Sequence, residues 1–398
     1  MRIGMILDKT FPPDPRVENE STTLIEKGHQ VFLFCLKYKE EPVSEEINGI
    51  HIRRYSSNKL EYRLSALAYT IPYYSNRMAK KIINFLLENR IDIIHIHDMV
   101  IAEAVLKANK KLDLPLVLDL HENRPEIMKR YPHLQKFPGK QIISTKKWKR
   151  KEEDFIKSAD KIIVVTQEAK NEIKSRIDVD DDKIQIVPNS VKRSFYSDII
   201  LDERIIYKYK DKFVILYLGD TGLRRGLLTA IEAVKFLKFN IINLKLVIVG
   251  SNTSDSILKD RVRHYGLEEY IDFEGWKEVS LFPSYIIASA IGISPLDRNI
   301  HHDTTYANKI FQYMSFSKPV LVSDATAQKK LIIKTKSGLV HKEKDIKDFT
   351  NKVLDLYSNS KLRNDLGKNG KSFIDNEFYW EKISQNLVDI YTDLSTHK

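Results

Sequence analysis

The sequence predicts an α/β protein built from two doubly wound parallel sheets. Short β-branched runs alternate with longer helical patterns from residue 2 onward, and such short apolar runs suit parallel strands covered on both faces. The alternation stops in a charged, turn-rich region at residues 189–212 and then begins again at residue 213. At 398 residues the chain also exceeds the roughly 250 to 300 residues at which a single core stops growing. Two Rossmann-like domains are therefore expected.

The individual elements follow from the same runs. The first series predicts strands at residues 2–7, 29–36, 91–97, 114–120, 161–166 and 184–187. A helix is predicted over residues 17–27, because Gly28 is a typical helix stop. The second series predicts strands at residues 213–218, 244–249, 271–273, 291–294 and 319–323, with helices near residues 226–239, 256–265 and 307–316. We place the first domain at residues 1–190 and the second at 191–377, and we expect a C-terminal helix, 378–398, to join the first domain.

Composition limits the class of protein and its partners. With 65 Lys and Arg against 54 Asp and Glu, the net charge of +11 favours nucleic acid, acidic lipid or phosphorylated ligands. Cys35 is the single cysteine, which excludes an intramolecular disulfide framework and fits a reducing compartment. The first apolar run stops at Asp8, too early for a signal peptide, and no stretch approaches the 18 or so apolar residues of a spanning helix. We expect a cytoplasmic protein.

The loop after the first strand of the second series carries the first candidate site. Gly219 and Gly222 permit close approach of the backbone to a ligand, and Arg224 and Arg225 could pair bidentately with a diphosphate. A solvated arginine pair at a helix start is the alternative. The first strand of each series, at residues 2–7 and 213–218, lacks a following G-x-G-x-x-G motif, which argues against binding of a nicotinamide or flavin dinucleotide.

Residues 303–314 form the second candidate site. On a helix, the apolar residues 307, 310, 311 and 314 would form a buried stripe, while Thr304, Asn308 and Gln312 would recur on another face. The helix N-terminus suits a phosphate, which would also remove the unfavourable interaction of Lys309 with the helix dipole. An ordinary amphipathic helix remains the alternative.

The run from residue 308 to 320, N-K-I-F-Q-Y-M-S-F-S-K-P-V, is similar to a signature of the retaining glycosyltransferases of family 4. These enzymes have the GT-B fold, in which two Rossmann-like domains face a cleft. Their helix carries two glutamates separated by seven residues, and one variant of it reads N-K-hydrophobic-F-E-Y-M. In this chain Thr304 and Gln312 stand at the two glutamate positions, so both carboxylates are absent.

The resemblance implies a role for each candidate residue. Arg225 precedes Gly226 where the family has Lys-Gly, and the implied catalytic residues are His121, Arg224, Arg225 and Lys309. The implied donor-binding residues are Arg16, Gly219, Thr221, Gly222, Gly275, Trp276, Asp303, Thr304, Asn308 and Gln312. In the family a Phe-x-Gly turn lies beside the nucleotide base, and Trp276 follows the matching residues here, with a core or surface tryptophan as the alternative. His121 corresponds to a family histidine near the sugar, with a structural histidine as the alternative. Arg16 is assigned to a phosphate or acceptor contact, with a surface arginine as the alternative.

Two smaller motifs extend the resemblance over nearly the whole chain. Residues 187–191, V-P-N-S-V, resemble the family's V-P-N-G-V at the crossing between domains, and Trp380-Glu381 matches its W-E before the last helix. No metal or other cofactor is expected, because adjacent residues such as His301, His302 and Asp303 rarely converge on one ion.

The partners follow from charge and from the resemblance. Residues 136–151 contain seven basic residues with Phe137 and Trp148, and residues 62–90 mix tyrosines with lysines and arginines. Such surfaces suit an anionic membrane leaflet, although solvated helix faces explain each of them equally well. We expect a nucleotide-sugar donor, a lipid-linked or saccharide acceptor, peripheral contact with the inner face of the plasma membrane, and no nucleic acid.

The resemblance therefore implies transfer of a sugar from a nucleoside diphosphate, with UDP favoured, to an acceptor hydroxyl with retention. The expected process is assembly of bacterial cell-surface polysaccharide or glycolipid. The absent glutamates leave open a degenerate sugar-nucleotide-binding protein. A nucleic-acid-binding protein, suggested by the charge, and an epimerase of the same fold are the remaining alternatives.

Overall fold

The computed structural model describes residues 1–129, 134, 137 and 139–396, and the chain divides into two compact units. The first unit contains Met1–Pro188 and Ser384–Lys398, and the second contains Asn189–Ile383. The chain returns to the first unit at Ser384 rather than at Phe378. The reason is that the Phe378 ring packs on Phe311 and Phe373 of the second unit, with centroid distances of 4.6 and 5.2 Å.

The first unit is built on one sheet, which has eight strands in the described residues. These strands are β1 (Arg2–Leu7), β2 (Gln30–Lys37), β3 (Ser44–Ile47), β4 (Ile50–Ser56), β5 (Ile93–His97), β6 (Leu116–Leu120), β7 (Lys161–Val164) and β8 (Ile184–Ile186). Their order is β3-β4-β2-β1-β5-β6-β7-β8, and only the β3-β4 pair is antiparallel. The sequence prediction missed this pair because β3 alternates between exposed and half-buried residues and β4 between buried and half-buried residues, whereas the prediction relied on continuous apolar runs.

The helices of the first unit connect and cover these strands. They are α1 (Pro15–Glu26), α2 (Lys59–Ser65), α3 (Tyr73–Glu88), α4 (Ala102–Asn109), α5 (Arg124–Met128), α6 (Gly139–Ile142), α7 (Thr145–Ser158) and α8 (Gln167–Lys174). Asp14 caps α1 by accepting from the backbone N–H groups of Arg16 and Val17, and Pro15 occupies the first helical position. Gly28 follows this helix with a positive φ of 84°.

The second unit contains a fully parallel sheet, with six strands in the part of the chain that the structure describes. They are β9 (Phe213–Leu218), β10 (Leu244–Val249), β11 (Ile271–Gly275), β12 (Ile291–Ser294), β13 (Val320–Ser323) and β14 (Gly338–His341), in the order β11-β10-β9-β12-β13-β14. The prediction found five of these six strands and missed β14. This strand is only four residues long, and three of the four are half-buried.

The remaining helices complete both units. In the second unit they are α9 (Ser194–Ser197), α10 (Glu203–Tyr209), α11 (Leu227–Leu237), α12 (Asp255–His264), α13 (Phe282–Ile287), α14 (Ile300–Asp303), α15 (Asn308–Ser315), α16 (Thr326–Thr335), α17 (Ile346–Ser358), α18 (Ser360–Asn376) and α19 (Trp380–Ile383). The last helix, α20 (Gln385–Thr396), belongs to the first unit. Among the helices described here, none has the length and apolar character needed to cross a membrane.

Candidate functional site

The loop between β9 and α11 is held tightly against the loop that follows β12. Gly226 has a positive φ of 74°, and a Cβ atom at this position would lie 1.7 Å from the carbonyl oxygen of Pro295. The backbone N–H of Asp297 donates to the carbonyl oxygen of Arg224 at 3.1 Å. Arg224 and Arg225 lie in the short 3₁₀ turn Leu223–Arg225 just before Gly226. The two arginines are therefore fixed at the carboxyl edge of the second sheet.

Asp220 organises these arginines, and the sequence prediction did not single it out. Its carboxylate accepts from Arg225 Nε at 3.0 Å and from the backbone N–H of Gly222 at 3.1 Å, and it lies 3.8 Å from Arg224 Nη2. Burial opposes ionisation of Asp220, but the Arg225 guanidinium outweighs it and lowers the pKa of the carboxyl group. The sequence did contain a signal for this role, because Asp220 precedes Arg224 by four residues and Arg225 by five.

Lys309, the second residue of α15, places a buried amine beside this loop. Its Nζ lies 3.8 Å from the centroid of the Tyr217 ring and 3.7 Å from the point that a Cβ on Gly219 would occupy. In the described residues, Nζ has no acidic partner within ion-pair distance. Burial and the neighbouring Arg225 hold the pKa of Lys309 well below its ordinary range. An anionic ligand would favour the protonated amine and so oppose both effects.

The N-terminus of α15 adds to this positive potential. No side chain caps it, because Ala307 occupies the N-cap position. Asn308 is exposed and Gln312 is half-buried, and neither side chain hydrogen-bonds to another described residue. Backbone N–H groups and two neutral amides are therefore available to a ligand at this helix end.

The helix face predicted to carry Thr304, Asn308 and Gln312 together is interrupted in the structure. The chain breaks between α14 and α15, so Thr304 does not share a helix face with Asn308 and Gln312. Thr304 Oγ1 instead donates to the backbone carbonyl of residue 300 at 2.8 Å. The Asp303 carboxylate accepts from the backbone N–H of residue 326 at 2.7 Å and pairs with the guanidinium of residue 298 at 3.2 Å. Both side chains make hydrogen bonds within the protein, and their contact with the donor stays a prediction.

The remaining predicted donor residues lie along the same edge of the second sheet. Thr221 is buried and its hydroxyl donates to Asp255, so it supports the loop from beneath. Gly275 ends β11 with a φ of 69°, and its carbonyl oxygen accepts from the backbone N–H of Gly250 at 2.7 Å. Trp276 follows immediately and is 70% exposed. A planar base could stack on its accessible indole ring.

Two buried histidines beside the arginines were not predicted as part of this site. Burial lowers the pKa of His301 to about 2 and that of His302 to about 3, and the charges of Arg224 and Arg225 act in the same direction. His302 Nδ1 donates to the carbonyl oxygen of Asp297 at 2.7 Å. Both rings are therefore neutral at physiological pH.

Arg16 lies in a buried cluster of the first unit, not at an open ligand contact. Its Nε and Nη2 atoms donate to the two carboxylate oxygens of Asp119 at 2.7 and 2.8 Å. Nη1 donates to the carbonyl oxygen of Val187 at 3.0 Å, and Nη2 lies 3.0 Å from Glu20. All three nitrogens are bound by the protein and the residue is only 7% exposed. Arg16 therefore positions Asp119, and its expected phosphate or acceptor contact stays a prediction.

His121 ends β6 next to the same carboxylate. Its Nε2 lies 2.8 Å from Asp119 Oδ2. Burial disfavours the charged ring, but the Asp119 carboxylate outweighs burial and raises the pKa of His121 to about 9. His97 contacts His121, with its Nδ1 3.1 Å from His121 Nε2. Burial lowers the pKa of His97. His121 therefore carries a proton at neutral pH while His97 is neutral.

Four buried residues in this cluster could in principle hold a metal. The ligand atoms of Glu20, His95, His97 and Asp119 lie within 4.8 Å of one another, and such a donor set suits a divalent transition metal. However, the Arg16 guanidinium is already bound to both carboxylates, so an ion would have to displace a buried cation. Metal independence stays a prediction.

His121 should make the stability of the first unit depend on pH. Its folded-state pKa of about 9 is above the ordinary value of 6.5, so its contribution is fully present below pH 6.5 and is lost as the pH rises through 9. We expect the stability advantage of the wild type over His121→Gln to fall by at most about 3 kcal/mol across this range. Urea unfolding at a series of pH values measures it, and a constant difference would contradict the assignment.

Two protein-family models match the chain over most of its length. The model described as Glycosyltransferase Family 4 matches residues 16–195, and the model described as Glycosyl transferases group 1 matches residues 199–373. The chain belongs to the group 1 glycosyltransferases. The resemblance found in the sequence is confirmed, and so is the GT-B class of two parallel-sheet α/β domains.

Other glycosyltransferases align with long parts of the chain. An uncharacterised glycosyltransferase of Methanocaldococcus jannaschii is 24% identical over 339 residues, which cover 84% of this chain and 83% of the relative. The capsular polysaccharide biosynthesis glycosyltransferase CapM of Staphylococcus aureus is 24% identical over 192 residues, 48% of this chain and 49% of CapM.

Solved glycosyltransferase structures share the fold at low identity. Sucrose-phosphate synthase from Thermosynechococcus elongatus has a TM-score of 0.83 at 16% identity and covers both chains fully. HepE of Anabaena, in complex with UDP-glucose, has a TM-score of 0.71 at 13% identity and covers 99% of this chain and all of HepE. These glycosyltransferase neighbours show the fold and leave donor and acceptor to be inferred from the site.

Proposed function

We propose that this glycosyltransferase moves a sugar from a nucleoside-diphosphate sugar, preferably a UDP-sugar, to an acceptor hydroxyl. The proposal rests mainly on Lys309, a buried amine with no acidic partner in the described residues, placed beside Gly219. Arg224 and Arg225 add two guanidiniums at the same edge, of which Asp220 neutralises one charge. A diphosphate of about two negative charges would complement this set. The structure of HepE with UDP-glucose supports the choice of UDP.

We propose retention at the anomeric carbon without a protein nucleophile. The bond from the anomeric carbon to the diphosphate oxygen breaks, and the acceptor oxygen forms its bond on the same face. The acceptor proton passes to the departing diphosphate oxygen, so the step needs no catalytic carboxylate. Arg224, Arg225 and Lys309 would stabilise the charge that develops on the leaving group. This mechanism accommodates Thr304 and Gln312 at the positions of the family's glutamates.

We propose His121 as a hydrogen-bond donor to a sugar hydroxyl. The Asp119 carboxylate binds His121 Nε2 and keeps the ring protonated, which leaves Nδ1–H to donate. Arg16 in turn fixes Asp119 through two hydrogen bonds. This arrangement gives the ring a defined orientation before a ligand arrives. Neither a metal nor a cofactor is required in this proposal.

The proposed process is the assembly of a cell-surface polysaccharide or glycolipid, which the relation to CapM supports. A peripheral contact with anionic lipid is proposed for the first unit. Leu60 and Tyr62 on α2 and Tyr73 at the start of α3 are exposed apolar side chains, and Lys80 lies on the same helix as Tyr73. The second basic region, residues 136–151, lies partly outside the described residues.

A thermal-shift panel of nucleotides and nucleotide sugars tests the donor, followed by transfer assays with radiolabelled UDP-sugars and membrane lipids. A ligand at 100 times its dissociation constant should stabilise the protein by about 2.7 kcal/mol. Arg224→Ala should abolish this shift, because it removes a guanidinium from the diphosphate site. Arg204→Ala is the matched control, since Arg204 is exposed in the same unit and pairs with Asp202.

The same experiments separate the alternatives. A catalytically degenerate binder, suggested by Thr304 and Gln312, would show the donor-dependent shift without transfer or hydrolysis for any donor. A nucleic-acid-binding protein would bind oligonucleotides in a salt-sensitive way that survives Arg224→Ala. An epimerase would exchange a sugar proton in deuterated water. Each of these results would contradict the proposed transfer.

A further inference from the structure

The outermost strand of the first sheet, β3, is open to pairing with another chain. It stands at one end of the strand order, and in the described residues it pairs with β4 alone, in antiparallel orientation. An edge strand presents unpaired backbone N–H and C=O groups, to which an extended segment can add as a further strand. This edge shares no residue with the proposed sugar-transfer site.

The register of the β3-β4 pair shows which backbone groups are free. The N–H of Arg54 donates to the carbonyl oxygen of Val43 at 2.8 Å, so these two residues form a hydrogen-bonded pair. In an antiparallel ladder, such pairs alternate with pairs that are not hydrogen-bonded. Ser44 and Glu46 fall at the alternate, non-hydrogen-bonded positions. Their N–H and C=O groups therefore point away from β4, towards the open edge.

A groove of about 430 Å³ lies beside this edge, and we call it the edge groove. Its lining includes Ser44 and Glu46 from β3, Phe32 from β2, and Phe85 and Glu88 from the end of α3. The volume falls within the range of about 300 to 1,000 Å³ that is typical of ligand pockets. A strand added to β3 would direct every second side chain to this face of the sheet. One of these side chains can enter the edge groove.

The edge groove is acidic, although the chain as a whole is basic. Glu88 forms no hydrogen bond or ion pair with another described residue, and Glu46 lies 3.3 Å from Nδ1 of His51. Residues 39–46, K-E-E-P-V-S-E-E, carry four glutamates against one lysine, in a chain with a net charge of +11. Carboxylates in this position favour a lysine or arginine side chain, because the hydrogen bonds between them are charge-assisted.

The neighbouring arginines are already engaged within the protein. Arg53 also lines the edge groove, but its Nη1 donates to the Ser44 hydroxyl at 2.7 Å. Arg54 projects from the other face of β4 and donates to Glu45 at 2.5 Å. That face of β3 also carries Ile47, which is half-buried. An added strand would therefore meet carboxylates on the groove face and an apolar side chain on the opposite face.

We propose that β3 and the edge groove bind an extended basic segment of a partner protein. The segment pairs as an additional strand with the outward backbone groups of Ser44 and Glu46. It places a lysine or arginine side chain in the edge groove, between Glu46 and Glu88, and an apolar side chain beside Ile47. The partner segment therefore alternates basic and apolar residues. This inference goes beyond the proposed sugar transfer and does not depend on it.

Fluorescence anisotropy with the full-length protein and labelled peptides tests the proposal. The probe is a peptide that repeats Lys-Val three times, with blocked ends, and it should bind the wild type. A peptide that repeats Lys-Pro three times has the same charge but lacks every second N–H group, so it cannot pair as a strand. It should bind more weakly by about tenfold or more, the effect of losing backbone hydrogen bonds. A peptide that repeats Glu-Val should not bind.

Two sets of variants separate the charge from the backbone. Glu46→Gln combined with Glu88→Gln should weaken binding of the Lys-Val peptide by about tenfold or more. It should also keep the unfolding temperature of the wild type, because both carboxylates are exposed. Glu46→Pro removes an outward N–H group and should weaken binding in the same way. Glu203→Gln, on exposed α10, is the matched control and should bind like the wild type.

The proposal is overturned if the Lys-Val peptide does not bind, if the Lys-Pro peptide binds equally well, or if the double glutamine variant binds normally. Sedimentation velocity of the protein alone tests a different occupant. A dimer that is lost in Glu46→Pro would assign the edge to a second copy of the chain and would also overturn the proposal. The thermal shift with UDP-sugars should be the same in all these variants, so failure of either proposal is visible without the other.

Discussion

Lys309→Met should lower kcat/KM for the donor by about 100- to 1,000-fold, the usual effect of deleting one group that stabilises a developing oxyanion. The same change should leave the unfolding temperature unchanged or higher. The Nζ of Lys309 is buried and has no acidic partner among the described residues, so folding gains little from its charge. Methionine fills a similar volume without a charge. Steady-state kinetics and differential scanning fluorimetry on the same preparation measure both effects.

Lys318→Met is the matched control for this prediction. Lys318 follows α15 and is also substantially buried, with a pKa lowered by burial to about 8. Its Nζ donates to the carbonyl oxygens of Ile287 and Ser289 at 2.9 and 2.6 Å, so its removal leaves two partly buried carbonyl oxygens without this donor. We expect about 1 to 3 kcal/mol of destabilisation and little change in kcat/KM. If Lys309→Met unfolds the protein or leaves its kinetics unchanged, the donor site is misassigned.

Asp119→Asn should destabilise the first unit by about 3 to 5 kcal/mol, the cost of removing one partner from a buried charge pair. The substitution leaves the Arg16 guanidinium buried, with only the Glu20 carboxyl group to balance it. It also removes the charge that keeps His121 protonated, so transfer activity should fall even in the molecules that remain folded. Urea unfolding measures the loss of stability.

Trp148 provides a local probe for that experiment. It is buried in the first unit, and replacing Trp276 and Trp380 by phenylalanine leaves it as the single tryptophan of the chain. Asp393→Asn is the control, because Asp393 pairs with Lys161 near the surface of the same unit and should contribute less than about 1 kcal/mol. Equal effects of the two substitutions would contradict a special role for the buried pair.

Periodicity was sufficient to predict the fold because most strands are apolar on both faces. β5 and β6 are buried at every residue, and such runs are readable without any knowledge of tertiary contacts. The β3-β4 pair and β14 were missed because many of their residues are half-buried or exposed, so no continuous apolar run marks these strands in the sequence. The resemblance to the family supplied the proposed location of the donor site, and the family-model matches confirm the family itself.

The site was predicted less completely, because its geometry depends on long-range pairing. Nothing local indicates that Arg16 pairs with Asp119, which lies 103 residues further along the chain. The break before α15 is also invisible in the spacing of Thr304 and Asn308, since four residues suit a helix whether or not one forms. By contrast, Lys309 was placed correctly in the first turn of α15, because the spacing of the apolar residues in this short segment predicts the helix without any long-range contact.

The position of α20 has a consequence for how the protein is made. The hydroxyl of Tyr391 lies 2.7 Å from Nδ1 of His95, and this helix belongs to the first unit although the whole second unit precedes it in the chain. During synthesis, residues 1–188 emerge without the segment that covers His95. The first unit can therefore be completed only after the second unit and α20 have been synthesised, and His95 stays without its hydrogen bond to Tyr391 until then.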